Sequence, residues 1–95
     1  MARESNDAYK ERLAEANENM IFFDGYEDAL IGFLQRFGME PLALYDRDKC
    51  IKILMERDGM DFHEAEEFFE FNSAGAWVGE NTPAFAVFVP RDPEA

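Results

Sequence analysis

At 95 residues this sequence has the length of one domain. Its composition is 47% hydrophobic, with ten Phe, three Tyr and one Trp, which excludes intrinsic disorder. Its formal net charge of −12, from 9 basic and 21 acidic residues, disfavours direct binding to nucleic acid and to anionic membrane, since both draw affinity from Lys and Arg.

The remaining partners for such a chain are a basic protein surface, a cation or a neutral small molecule, with plain solubility as the default reading of acidity. A small domain buries a low fraction of its surface, so a homodimer would add stability. Cys50 is the sole cysteine and excludes an intrachain disulfide; among Ile51, Ile53 and Leu54 it reads as a small core residue. One thiol, no signal-like N-terminus and no long apolar run read as cytoplasmic.

In chain order, residues 4–17 carry Tyr9, Leu13 and Ala16 at helical spacing, predicting a peripheral N-terminal helix within 1–19 that Asn17 to Asn19 break. Met20 to Phe23 is a short apolar run with the length of a buried strand. Asp24 and Glu27 then form a capping-box pattern. Tyr26, Leu30, Phe33, Leu34 and Phe37 follow on one face of a helix that Gly38 stops.

Pro41 to Tyr45 reads as a second strand, and Asp46 caps a helix over 47–57 that ends at Asp58-Gly59. Asp61 and Glu64 open a further helix from about 62 to 73. Gly79 to Pro83 is a loop, Ala84 to Val89 a last strand, and 91–95 a frayed tail. The expectation is a single α/β domain over 1–95, a small three-stranded sheet covered by helices in the order α-β-α-β-α-α-β. A strand–helix–strand unit would make its first two strands parallel; the direction of the last strand stays open.

The strongest binding signal is acidic. Between Asp58 and Pro90 stand seven acids and no Lys or Arg. On a continuous helix Glu66, Glu70, Ser73 and Trp77 would align, with Glu67 beside them, setting an aromatic ring against a carboxylate stripe. Glu66, Glu67, Glu70 and Trp77 are therefore the candidate contact residues for a basic surface. A solvated helix face with Trp77 folded into the core is the bland alternative.

A second constellation gathers at the strand ends. With parallel strands, Asp24 and Asp46 would share the C-terminal sheet edge where open α/β folds collect ligands. Two aspartates there could hold a divalent cation, although capping alone explains both. Asn72 shares a helical face with Phe62, Ala65, Phe68, Phe69 and Ala76 and so points toward the core. There it either anchors the loop 73–83 or lines a pocket with Glu80 and Thr82. For catalysis the inventory is thin: His63 is the sole histidine, and no nucleophile, paired-carboxylate, zinc or phosphate-loop motif accompanies it. No cofactor is expected.

Tyr45-Asp46, Lys49, Ile51, Leu54, Gly59-Met60, Glu64-Ala65, Phe68 to Asn72, Gly75 to Glu80 and Thr82-Pro83 form a distinctive run of residues. With Asp24-Gly25 and Ala29 to Gly32, it resembles a group of small proteins of tailed bacteriophages and bacterial genomes, over residues 20–85. That group has no assigned activity, so the resemblance implies a phage-like origin and carries over no functional residue. In that setting small acidic proteins often bind and block host machinery. The leading expectation is an accessory protein that contacts a basic surface of a host enzyme or defence complex; a small-ligand or cation-binding domain and a homo-oligomer are the alternatives.

Overall fold

The computed structural model describes residues 3–93. Three helices cover a three-stranded mixed sheet. Helix α1 (Asn6–Ala14) opens where the Ser5 hydroxyl accepts a hydrogen bond from Ala8 N–H. It lies on the periphery, burying only Leu13. The expected frayed tail falls partly on residues 94–95, outside the described residues.

Met20 to Phe23 pairs with no strand; it crosses the core as an irregular segment with Met20 buried. The Tyr45 hydroxyl does the work of a missing ladder. It accepts from Phe23 N–H at 2.9 Å and donates to Phe23 C=O at 3.4 Å, so both backbone polar groups of the half-buried Phe23 are satisfied by a side chain.

The expected helix from Tyr26 to Phe37 is replaced by a single 3₁₀ turn (Glu27–Ala29) and strand β1 (Leu30–Leu34). The same apolar residues satisfy both periods, and pairing decides between them. Gly32 sits at the irregularity in the β1 ladder with φ of +150°, a conformation that a helix does not use and that glycine adopts freely. The capping box expected of Asp24 and Glu27 does not form. Glu27 instead accepts from Gly25 N–H at 3.0 and 3.2 Å, and Asp24 stays exposed.

Strand β2 (Leu42–Asp46) is central. It pairs antiparallel with β1, Leu34 opposite Leu42 and Leu30 opposite Tyr45, correcting the parallel expectation: a seven-residue turn (35–41) joins them directly. Asp46 ends β2 and caps helix α2 (Arg47–Asp58), accepting from Asp48 and Lys49 N–H at 3.1 and 3.3 Å. Gly59, left-handed at φ of 69°, closes that helix.

Helix α3 (Phe62–Phe69) opens with the expected reciprocal bonds between Asp61 and Glu64. From Glu70 it continues as a wide π-type turn (Glu70–Ala74) that Gly75 terminates, so the helical stretch closes near its expected end but with a wider last turn. Strand β3 (Ala84–Ala86) then runs parallel to β2, Tyr45 opposite Phe85. It is half as long as expected. Because β2 turns into the cap of α2 at Asp46, Val87, Phe88 and Val89 meet no ladder and remain exposed. The core lies between sheet and helices around Tyr45, Cys50, Leu54, Ala65 and Phe69, with Phe85 against Phe69 edge-on at 4.8 Å.

Candidate functional site

The acidic stripe expected on α3 is divided by the fold. Arg47, at the start of α2, lays its guanidinium 5.5 Å from the centre of the Phe69 ring. From there it donates to Glu70 Oε1 at 2.6 Å and lies 3.6 Å from Glu66 Oε2. Glu70 thereby raises the pKa of Arg47. Two of the carboxylates expected to face a partner are thus engaged within the chain. Glu67 and Asn72 border a separate shallow depression with Glu64, Phe68 and Phe71.

Asn72 does not point into the core. It is exposed, and its amide donates back to Phe68 C=O at 3.0 Å. Ser73 takes the inward position, its hydroxyl 2.8 Å from that of Tyr26. The wide turn advances less rotation per residue, so Ala65, Phe69 and Ser73, four apart, stay in line while Asn72 swings outside.

Ending the helix at Ala74 also removes Trp77 from the glutamate stripe and from the core. Trp77 is 75% exposed and lines a groove of about 640 Å³ at the Leu42 end of β2, opposite the Asp46 end. One wall is the turn between β1 and β2 through Gly38, Met39 and Glu40; the other is Trp77 with the loop Glu80, Asn81 and Thr82. Leu42 and Asn19 complete it. Among the described residues no Lys or Arg lines this groove, whereas depressions beside α1 and α2 include Arg3 and Arg57.

Both walls are held by polar side chains. Asn17, only 5% exposed, donates to Pro41 C=O at 3.0 Å and to Asn81 Oδ1 at 2.9 Å, and accepts from Asn19 N–H at 3.0 Å. One buried amide therefore ties the turn after α1, the start of β2 and the loop before β3 together. Thr82 closes its own loop: its hydroxyl donates to Gly79 C=O at 2.6 Å and accepts from Val78 N–H at 2.9 Å. Such anchoring fixes a concave surface before anything binds, which lowers the entropy lost on association.

Sequence spacing points Trp77 to one site and Glu80 with Thr82 to another; the fold brings these three together. It separates them from Asp24 and from Asp46, which caps α2, and among the described residues no strand precedes Asp24 to carry it to a shared edge. Glu40 and Asn17 were missed. Asn17 lies in the turn just past α1, four positions after the buried Leu13, and that spacing is the available signal. Glu40 carries no local mark.

Among the described residues no helix is long and apolar enough to cross a membrane, and no group of three or more His, Cys, Asp or Glu is gathered as a metal site. Comparison with protein-family models, curated proteins and solved structures found no match, so function is read from the geometry.

Proposed function

We propose that this chain acts by protein–protein contact, its Trp77 groove engaging a positively charged surface of a partner. The observation that carries the reading is the pairing of a solvent-facing indole with Glu40 and Glu80 in a groove whose walls are locked by Asn17 and Thr82. A large aromatic ring desolvated at the centre of a contact is the commonest kind of energetic anchor. The net charge of −12 would steer a basic partner toward it, a rate effect that salt screens. In this reading Glu67 adds field, while Glu66 and Glu70 belong to the fold through Arg47. The phage-like origin that the sequence resemblance implies suggests a host enzyme or defence complex as the class of partner.

Affinity capture from bacterial lysate tests this with the whole protein as bait, at low and high salt. A specific partner should be retained by the parent and by Glu11→Lys on α1. It should be lost with Trp77→Ala and with Glu40→Lys/Glu80→Lys. Equal retention by all four baits at every salt concentration would remove the groove from the mechanism.

A homo-oligomer is the second reading, and the uncovered apolar residues Phe37, Phe88 and Val89 favour it. Light scattering that returns a monomer at high concentration ends that reading.

A further inference from the structure

We infer that the Trp77 groove receives an arginine side chain from an exposed segment of the partner, its guanidinium lying on the indole with Glu40 and Glu80 as counter-charges. The inference rests on the protein-binding reading above and adds the chemistry of the occupant.

The fold already contains the pattern once, filled. Phe69 with Glu66 and Glu70 holds the guanidinium of Arg47, ring contact and two carboxylates together. The groove offers the same three parts, an aromatic face in Trp77 and carboxylates in Glu40 and Glu80, and among the described residues no cation of the chain lines it. Indole is the best of the aromatic rings for a cation. A planar guanidinium both stacks on a ring and presents five donors to carboxylates, whereas an ammonium is a compact, more strongly hydrated charge. The groove's volume, about 640 Å³, falls in the range of sites that enclose a ligand and leaves room for residues flanking the arginine over Met39 and Leu42.

Trp77 is the only tryptophan, so the fluorescence of the intact protein reports from the site itself. The probes are capped pentapeptides carrying a single arginine, lysine or citrulline between glycines. They are titrated at an ionic strength of about 0.15 M, where charges beyond roughly 8 Å are screened. The arginine peptide should give a saturable change with an affinity about 5- to 10-fold above that of the lysine peptide. Citrulline, equal in shape but uncharged, should give none over the same range. Glu40→Gln/Glu80→Gln should abolish the arginine response while leaving the circular dichroism spectrum unchanged.

Equal affinity for lysine and arginine, a response to citrulline matching that to arginine, or no saturable response to arginine would each overturn the inference. If partner capture depends on Trp77 while the arginine peptide fails, the arginine chemistry falls and the basic-surface reading stands. If the peptide behaves as expected while capture ignores Trp77→Ala, the site chemistry stands and the functional reading falls.

Discussion

The side-chain amide of Asn17 meets the side-chain carbonyl of Asn81 at 2.9 Å, joining positions 64 apart in the chain. Each polar atom of Asn17 is used, two bonds donated and one accepted, in a residue nearly closed to water. Leaving such groups unpaired costs about 1–3 kcal/mol. Asn17→Ala should lower the free energy of unfolding by that amount in urea titration. It should also weaken any ligand of the groove more than a distant variant of equal stability does. Stability within about 0.5 kcal/mol of the parent would show that water replaces the amide without penalty.

Trp77 should contribute little to folding, because most of its ring faces solvent. Trp77→Ala is expected to shift unfolding by no more than about 0.5 kcal/mol, and acrylamide should quench the parent's fluorescence readily. A loss above about 2 kcal/mol would mean that the indole packs in the core instead.

Arg47 joins the start of α2 to the end of α3 through Phe69, Glu66 and Glu70. The glutamates are about half exposed, so screening keeps their share small, and the ring contact supplies the remainder. Arg47→Ala should destabilise by about 1 kcal/mol, and Arg47→Lys should recover less than half of it. A lysine variant matching the parent in urea titration would exclude the stacked geometry as the source.

Burial pushes the Cys50 thiol up to about 12, with the charge of Asp46 adding to it, and burial likewise pushes the Tyr45 phenol up to about 12. In the unfolded chain these groups ionise near their ordinary values, roughly 8.5 and 10. Between those values and about 12 the unfolded state holds fewer protons than the folded state, so stability falls as pH rises through that window. Below about pH 8 neither group contributes a slope. Urea titrations across the range should show this decline, and Cys50→Ala should flatten its first part. Identical slopes for parent and variant would assign the decline to other groups.

Gly75 is needed for close approach. A Cβ there would stand 2.9 Å from Glu70 C=O, the carbonyl that accepts from Gly75 N–H. Gly75→Ala should cost about 1–3 kcal/mol by forcing the turn open. Because that turn delivers Trp77 to the surface, the variant should also alter the accessibility of Trp77 to acrylamide. An unchanged unfolding midpoint would show that the turn relaxes freely.

Local chemistry was legible in the sequence. Asp46, the Asp61 and Glu64 pair, and Gly59 act within four residues of themselves, so helices α2 and α3 begin where their caps stand and α2 ends where glycine permits a left-handed turn. The seclusion of Cys50 and the α/β class follow from apolar spacing in the same way. Strand β1 was hidden because Leu30, Phe33 and Leu34 fit a helical face as well as a strand, and only a partner 8 to 15 residues away, in β2, chooses between them.

Tertiary structure alone decided the site. It set Arg47 on Glu66 and Glu70, withdrew Asn17 from water, turned Asn72 outward, and carried Trp77, Glu80 and Thr82 across the molecule to Glu40. Sequence fixes how much charge and how many rings a chain has to offer. Which of them are spent on one another depends on contacts between distant segments, and no local period encodes those.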